Sequence, residues 1–125
     1  MTAAAATATL TFVCSLDRLT PDLGVAALFG TTQVALFRLA DGRVFAVQNL
    51  CPFSGAHVLS RGITGTRADE PTIASPIYKQ VFSLITGECL VTMDKAPVDG
   101  LDTKLATYPV TVDNGQVHIN LAGHT

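Results

Sequence analysis

Two short segments carry the side chains best suited to chemistry. One is Cys51-Pro52-Phe53-Ser54-Gly55-Ala56-His57 and the other is Ser75-Pro76-Ile77-Tyr78-Lys79-Gln80. A thiolate is the soft donor that iron–sulfur chemistry requires, and an imidazole or a phenolate can also bind iron. Ser75 is a poor donor for such a metal, because an alcohol is a hard oxygen ligand, and Phe53 has no lone pair. Cys51 and His57 could form a nucleophile and its base. That chemistry needs a third group to orient the imidazole, and a separation of six residues on a loop sets no geometry. A cysteine standing alone is more often a small buried apolar residue, which is the reading taken for Cys51, Cys14 and Cys89. Asp94, Asp99 and Asp102 lack the spacing of a calcium loop. The glycines form neither GxGxxG nor a phosphate loop, so no nucleotide site is expected.

The elements that must position these segments are short strands. Apolar and β-branched runs at 9–14, 25–29, 33–39, 43–48, 72–75, 81–84, 89–92, 108–112 and 116–120 alternate with turn signals. Asp41-Gly42, Thr86-Gly87 and Asn114-Gly115 mark hairpins, and Asp-Gly and Asn-Gly favour type I′ turns because both central residues take positive φ. Val110, Val112, Val117 and Ile119 share one face of the last hairpin, predicted to be buried, and His118 is expected to face solvent. Residues 15–19 could make one helical turn capped by Ser15 and ended by Pro21. Residues 98–105 read as loop. No convincing strand is predicted between Asn49 and Pro71, and a loop that long inside a small domain usually serves a site. The class is therefore all-β, an antiparallel sandwich or barrel.

Bulk composition narrows the function. The chain has 125 residues, 48% hydrophobic and 14% charged, with net charge −2, three cysteines and no tryptophan. A single domain at 9–121 fits that length, with a flexible tail at 1–8 and a short one, holding His124, at 122–125. A net negative charge without Lys/Arg runs argues against nucleic acid. No apolar run reaches the ~20 residues of a membrane span. Odd, widely spaced cysteines argue against a disulfide framework, so a cytoplasmic protein is expected.

Gly55 and Leu59 after the first loop, Pro76, Phe82, Thr86 and Gly87 in and after the second, and Tyr108-Pro109-Val110 before the final hairpin resemble the Rieske domain from about residue 10 to residue 120. In that family each loop gives one Cys to one iron and one His to the other iron of a [2Fe–2S] cluster. The resemblance places Cys51 and Phe53 at the Cys and His positions of the first loop, and Ser75 and Tyr78 at those of the second. It implies a Rieske-like antiparallel sandwich or barrel with a smaller two-loop subdomain at one end. With these ligand positions degenerate, Phe53 and Tyr78 are expected to fill the space with two rings meeting at offset geometry.

A narrower family is similar on more residues. Asn49, Pro52-Phe53, Val58-Leu59-Ser60-Arg61-Gly62, Ala74-Ser75-Pro76 and Lys79-Gln80 resemble the small subunit of assimilatory NAD(P)H nitrite reductase, which commonly lacks the cluster ligands. Gly24-Val25-Ala26-Ala27-Leu28 and Gln33-Val34-Ala35-Leu36-Phe37-Arg38 are similar too. That resemblance implies an accessory subunit with no catalytic residue, cofactor or metal of its own. Its partner would be a large subunit carrying FAD, an iron–sulfur cluster and sirohaem, which reduces nitrite to ammonia in nitrate and nitrite assimilation. Pro52, Phe53, Ser54, Arg61, Pro76, Tyr78 and Lys79 are the candidate docking residues. Arg61 has an alternative role, hydrogen bonding to loop carbonyls. Two other functions compete: a Rieske-type [2Fe–2S] ferredoxin that carries electrons, and a free-standing binding module.

Overall fold

Val34, Ala35, Leu36 and Phe37 are each fully buried in the computed structural model, which describes residues 10–121. Four consecutive buried residues on a strand require cover on both faces, because successive side chains point opposite ways. They lie on β3 (Thr32–Arg38), the second strand of a four-stranded sheet with β2 (Gly24–Phe29), β4 (Val44–Gln48) and β9 (Thr107–Tyr108). One face of β3 presents Val34 and Leu36 to a core with Leu19, Ala46, Val117 and Ile119. The other presents Ala35 and Phe37 to a core with Val47, Cys51, Phe53, Leu59, Ile73, Phe82, Leu84 and Leu105. The first core lies against a three-stranded sheet, ordered β1 (Leu10–Ser15), β11 (Gln116–Asn120) and β10 (Val110–Asp113). The second lies against another four-stranded sheet, of β5 (Ile63–Arg67), β6 (Glu70–Ala74), β7 (Val81–Ser83) and β8 (Cys89–Val91). All the named pairings are antiparallel. The expected all-β architecture with a smaller subdomain at one end is what the chain adopts.

Several expectations need correction. The run at 108–112 is not one strand. Pro109 has no N–H to continue a ladder, and the chain changes sheets there: β9 pairs with β4 and β10 with β11. Residues 49–71 do contain a strand, β5, whose residues are mostly exposed on a sheet edge and so show no apolar alternation. The Asp41-Gly42 turn is not type I′. Only Gly42 has positive φ, and Gly42 N–H donates to Leu39 O, so a tight turn ends in a glycine bulge. Asp41 accepts from the Arg43 backbone N–H and from its Nε at 2.9 Å, and the backbone bond leads in holding its carboxyl below the usual value. Asn114 and Gly115 both have positive φ, as expected. Ser15 makes no capping bond to the turn at Leu16–Arg18. Val117 and Ile119 are buried, whereas Val112 is exposed at the sheet edge. His118 is half-buried against the exposed Phe12 ring. The expected tails, 1–8 and 122–125, lie outside the described residues.

Two glycines permit close backbone approach, Gly24 of β2 against the turn at Leu59–Arg61 and Gly62 against β6 as the chain enters β5. A β-carbon at Gly24 would collide with the Ser60 carbonyl oxygen, and one at Gly62 with the Ala74 carbonyl oxygen. Both obstacles are backbone, so neither can swing aside. Gly62→Ala should therefore lower unfolding stability by about 1–3 kcal/mol, the usual cost of overpacking. Urea denaturation measures it, and an unchanged midpoint would show that the approach is looser than this packing requires.

Candidate functional site

Asn49 directly follows β4 and is almost fully buried, so its polar atoms need internal partners. Its Nδ2 donates to Gln33 Oε1 at 3.3 Å and to the His57 carbonyl at 3.2 Å. Its Oδ1 accepts from Ser60 N–H at 2.8 Å, and its own carbonyl accepts from Leu59 N–H. These bonds draw residues 49–60 into a closed loop. Within it, Cys51 N–H donates to Ala56 O and Gly55 N–H to Cys51 O, both at 2.8 Å, with Gly55 supplying the positive φ of the bend. In the second loop Ser75 N–H donates to Gln80 O, and Lys79 N–H to Ser75 O.

The two loops meet through Cys51 Sγ and Ser75 Oγ, 3.3 Å apart and both shielded from solvent. Burial acts first on the Cys51 thiol and pushes its pKa up. Hydrogen bonds from the Ser75 and Ser54 hydroxyls and from the Phe53 and Ser54 N–H groups outweigh it, so the net shift is downward. Burial pushes the Cys14 and Cys89 thiols up.

Phe53 does not meet Tyr78. It turns inward and packs on Phe82 with ring centroids 6.0 Å apart, in the core that also holds Leu59 and Leu105. Tyr78 turns outward, 41% exposed, with Lys95 Nζ 4.4 Å from its ring centroid. The difference is chemical: a phenyl ring gains by joining the core, while a phenol keeps its hydroxyl in water. Of the other docking candidates, Pro52 is buried, Ser54 and Pro76 are half-buried, and Lys79 is exposed. Arg61 is not at this end of the tip. It lines a separate open cleft of about 880 Å³ with Asp22, Asp41, Arg43 and Asp69. His57 is exposed whereas Cys51 is buried, so the two form no nucleophile–base pair.

This donor set does not suit a [2Fe–2S] cluster. It offers one thiol, one hydroxyl and one outward phenol, and at the fourth position a ring with no lone pair. Among the described residues no group of three or more His, Cys, Asp or Glu side chains is placed to hold a metal ion.

Residues 92–101, where the sequence shows only loop and carboxylates without calcium spacing, belong to the tip. Val98 N–H donates to Pro52 O at 2.8 Å, and Gln80 Nε2 donates to Thr92 O at 3.3 Å, so this segment forms a third side of the tip. Its only sequence signal is the exposed apolar pair Met93 and Val98 among acidic residues.

A family model described as the Rieske-like [2Fe-2S] domain matches residues 9–120. The nitrite reductase (NADH) small subunit of Escherichia coli K12 is 43% identical over 79 residues, 62% of this chain and 73% of that one. The chain belongs to the Rieske-like family of nitrite reductase small subunits. A solution structure of the nitrite reductase [NAD(P)H] small subunit from Erwinia carotovora superposes on this Rieske-like domain with a TM-score of 0.69. It is 38% identical, covering 90% of this chain and 82% of that one. The nitrite reductase [NAD(P)H] large subunit of Klebsiella oxytoca is 40% identical over 108 residues, 86% of this chain. This chain spans only 10% of that relative's length.

The Cys51–Ser75 contact makes a titration testable. Ser75→Ala removes a hydroxyl donor and should raise the Cys51 pKa toward those of Cys14 and Cys89, read from ultraviolet thiolate absorbance against pH. Because the folded thiol titrates below the ordinary value, its contribution to stability grows as pH rises through the folded pKa. That contribution is complete above the unfolded pKa and is lost as pH falls. A Cys51 titration indifferent to Ser75→Ala would show that the hydroxyl does not hold the thiolate.

Proposed function

We propose that this chain is the small accessory subunit of a cytoplasmic NAD(P)H nitrite reductase. It has no catalytic group and no cofactor, and it docks on a large subunit that carries FAD, an iron–sulfur cluster and sirohaem and reduces nitrite to ammonia. The observation that carries this reading is the likeness to nitrite reductase small subunits over nearly the whole described fold. The Klebsiella oxytoca relative supports the partnership, since a segment like this chain lies within a large subunit there. No helix among the described residues is long and apolar enough to cross a membrane, which is compatible with a cytoplasmic complex.

The docking face is the outer end of the two loops. Tyr78 and Lys79 provide direct contact; Ser54 and Pro76 frame it; the buried Pro52 and Phe53 support its shape. Arg61 would reach the partner only if the interface extends along the side cleft. Co-expression with the large subunit should give co-purification and a higher rate of NAD(P)H-dependent nitrite reduction than the large subunit alone. Tyr78→Asp combined with Lys79→Glu should weaken the complex at least about tenfold, as a contact at the centre of an interface does. If the wild-type chain neither co-purifies nor changes the rate, the accessory role is wrong.

The ferredoxin reading makes the opposite forecast for the isolated chain. With Phe53, Ser75 and Tyr78 at three ligand positions, the purified chain should be colourless and free of iron by elemental analysis. Stoichiometric iron with visible absorbance would overturn the accessory reading in favour of an electron carrier.

A further inference from the structure

We infer that residues 92–101 form part of the docking surface, and that the contact with the large subunit is an apolar one centred on Ile77, Tyr78, Met93 and Val98. This rests on the accessory-subunit reading and specifies what the partner must offer: an apolar patch with polar groups only at its rim, where Lys79 and Lys95 stay hydrated.

Contiguity is the first ground. Val98 N–H is bonded to Pro52 O in the first loop, Thr92 O accepts from Gln80 at the end of the second, and Lys95 covers the Tyr78 ring. Three loops thus present one surface. Exposure is the second. Ile77, Tyr78, Met93 and Val98 are 47%, 41%, 49% and 42% exposed, although each carries a large apolar side chain. Apolar groups grouped in this way on a small domain mark an interaction site more often than scattered ones do.

Backbone conformation is the third. Lys79 and Met93 have φ of 69° and 57°. The other described non-glycine residues with positive φ are Asp22, Ala68, Asp69, Asp94 and Asn114. A left-handed backbone is costly for any residue with a β-carbon, least so for Asp and Asn, and it persists where the surrounding structure enforces it. Among the described residues, two of the three such cases that are neither Asp nor Asn, Lys79 and Met93, lie on this tip, and the third is Ala68. Charge is the fourth ground. Lys79 and Lys95 are balanced by Asp94 and Asp99, so the surface offers a partner apolar area with no net field. Docking of that kind depends on burial and is little affected by salt.

The test uses the full chain and its large subunit, with affinity measured by titration. Met93→Asp with Val98→Asp should weaken binding at least tenfold, while Leu28→Asp with Val112→Asp, exposed positions on the other two sheets, should leave it within about twofold. Wild-type affinity should change less than about threefold between low and high salt. Hydrogen exchange on the wild-type complex gives a measure independent of variant folding: backbone amides in 92–101 should gain protection. Binding that survives Met93→Asp/Val98→Asp, or a wild-type complex that leaves 92–101 unprotected, overturns this inference and leaves the accessory role standing. Steep salt dependence overturns the apolar contact. Absence of any wild-type complex overturns the accessory role and this inference together.

Discussion

A buried asparagine that must satisfy its hydrogen bonds internally is the constraint on which the tip depends. Asn49 sits where the central sheet ends and the first loop begins. It bonds back to Gln33 on β3 and forward to His57, Leu59 and Ser60. Leaving such a group unpaired costs on the order of 1–3 kcal/mol, so the loop is held to the one course that supplies these partners. That course brings Cys51 to Ser75 and puts Leu59 under the sheet of β5 to β8. Gly24 and Gly62 then permit the backbones to approach, which no other residue would allow.

In a cluster-bearing Rieske domain a metal ties the two loops together. Here ordinary organic contacts do that work. Cys51 and Ser75 join the loops through a buried polar contact, and Phe53 anchors the first loop by packing on Phe82 of β7. The loop junction is therefore a continuation of the core, with the same two-sided burial that organises β3. With the interior closed in this way, the outward side chains are free of any ligand duty. Tyr78, Ile77, Met93 and Val98 can be selected for contact with another protein.

Much of the fold was legible because its signals are local. Asn114-Gly115 announces a hairpin through the φ its turn needs, and the alternation of 116–120 shows which face is buried. Where the deciding contact is remote, sequence inspection failed. β5 is exposed and carries no pattern, so only its pairing with β6 makes it a strand. Pro109 looked tolerable within a strand, yet it marks the change of sheet. The orientation of Phe53 depends on Phe82, 29 positions away in the chain. Residues 92–101 join the tip through the Val98–Pro52 backbone bond, a remote contact that leaves no local pattern.

By itself the sequence determined that the chain is all-β, that it carries a Rieske-like frame, and that its ligand positions lack the donors for a cluster. Those conclusions follow from residue identity, which no folding can change: phenylalanine has no lone pair wherever it lies. The tertiary structure decided which side chains close the gap and which face outward. It turned Phe53 in and Tyr78 out, separated Arg61 from the tip, lowered the Cys51 thiol pKa through Ser75, and added a third loop to the surface. Each of these depends on distances between residues far apart in the chain, and only the folded backbone sets such distances.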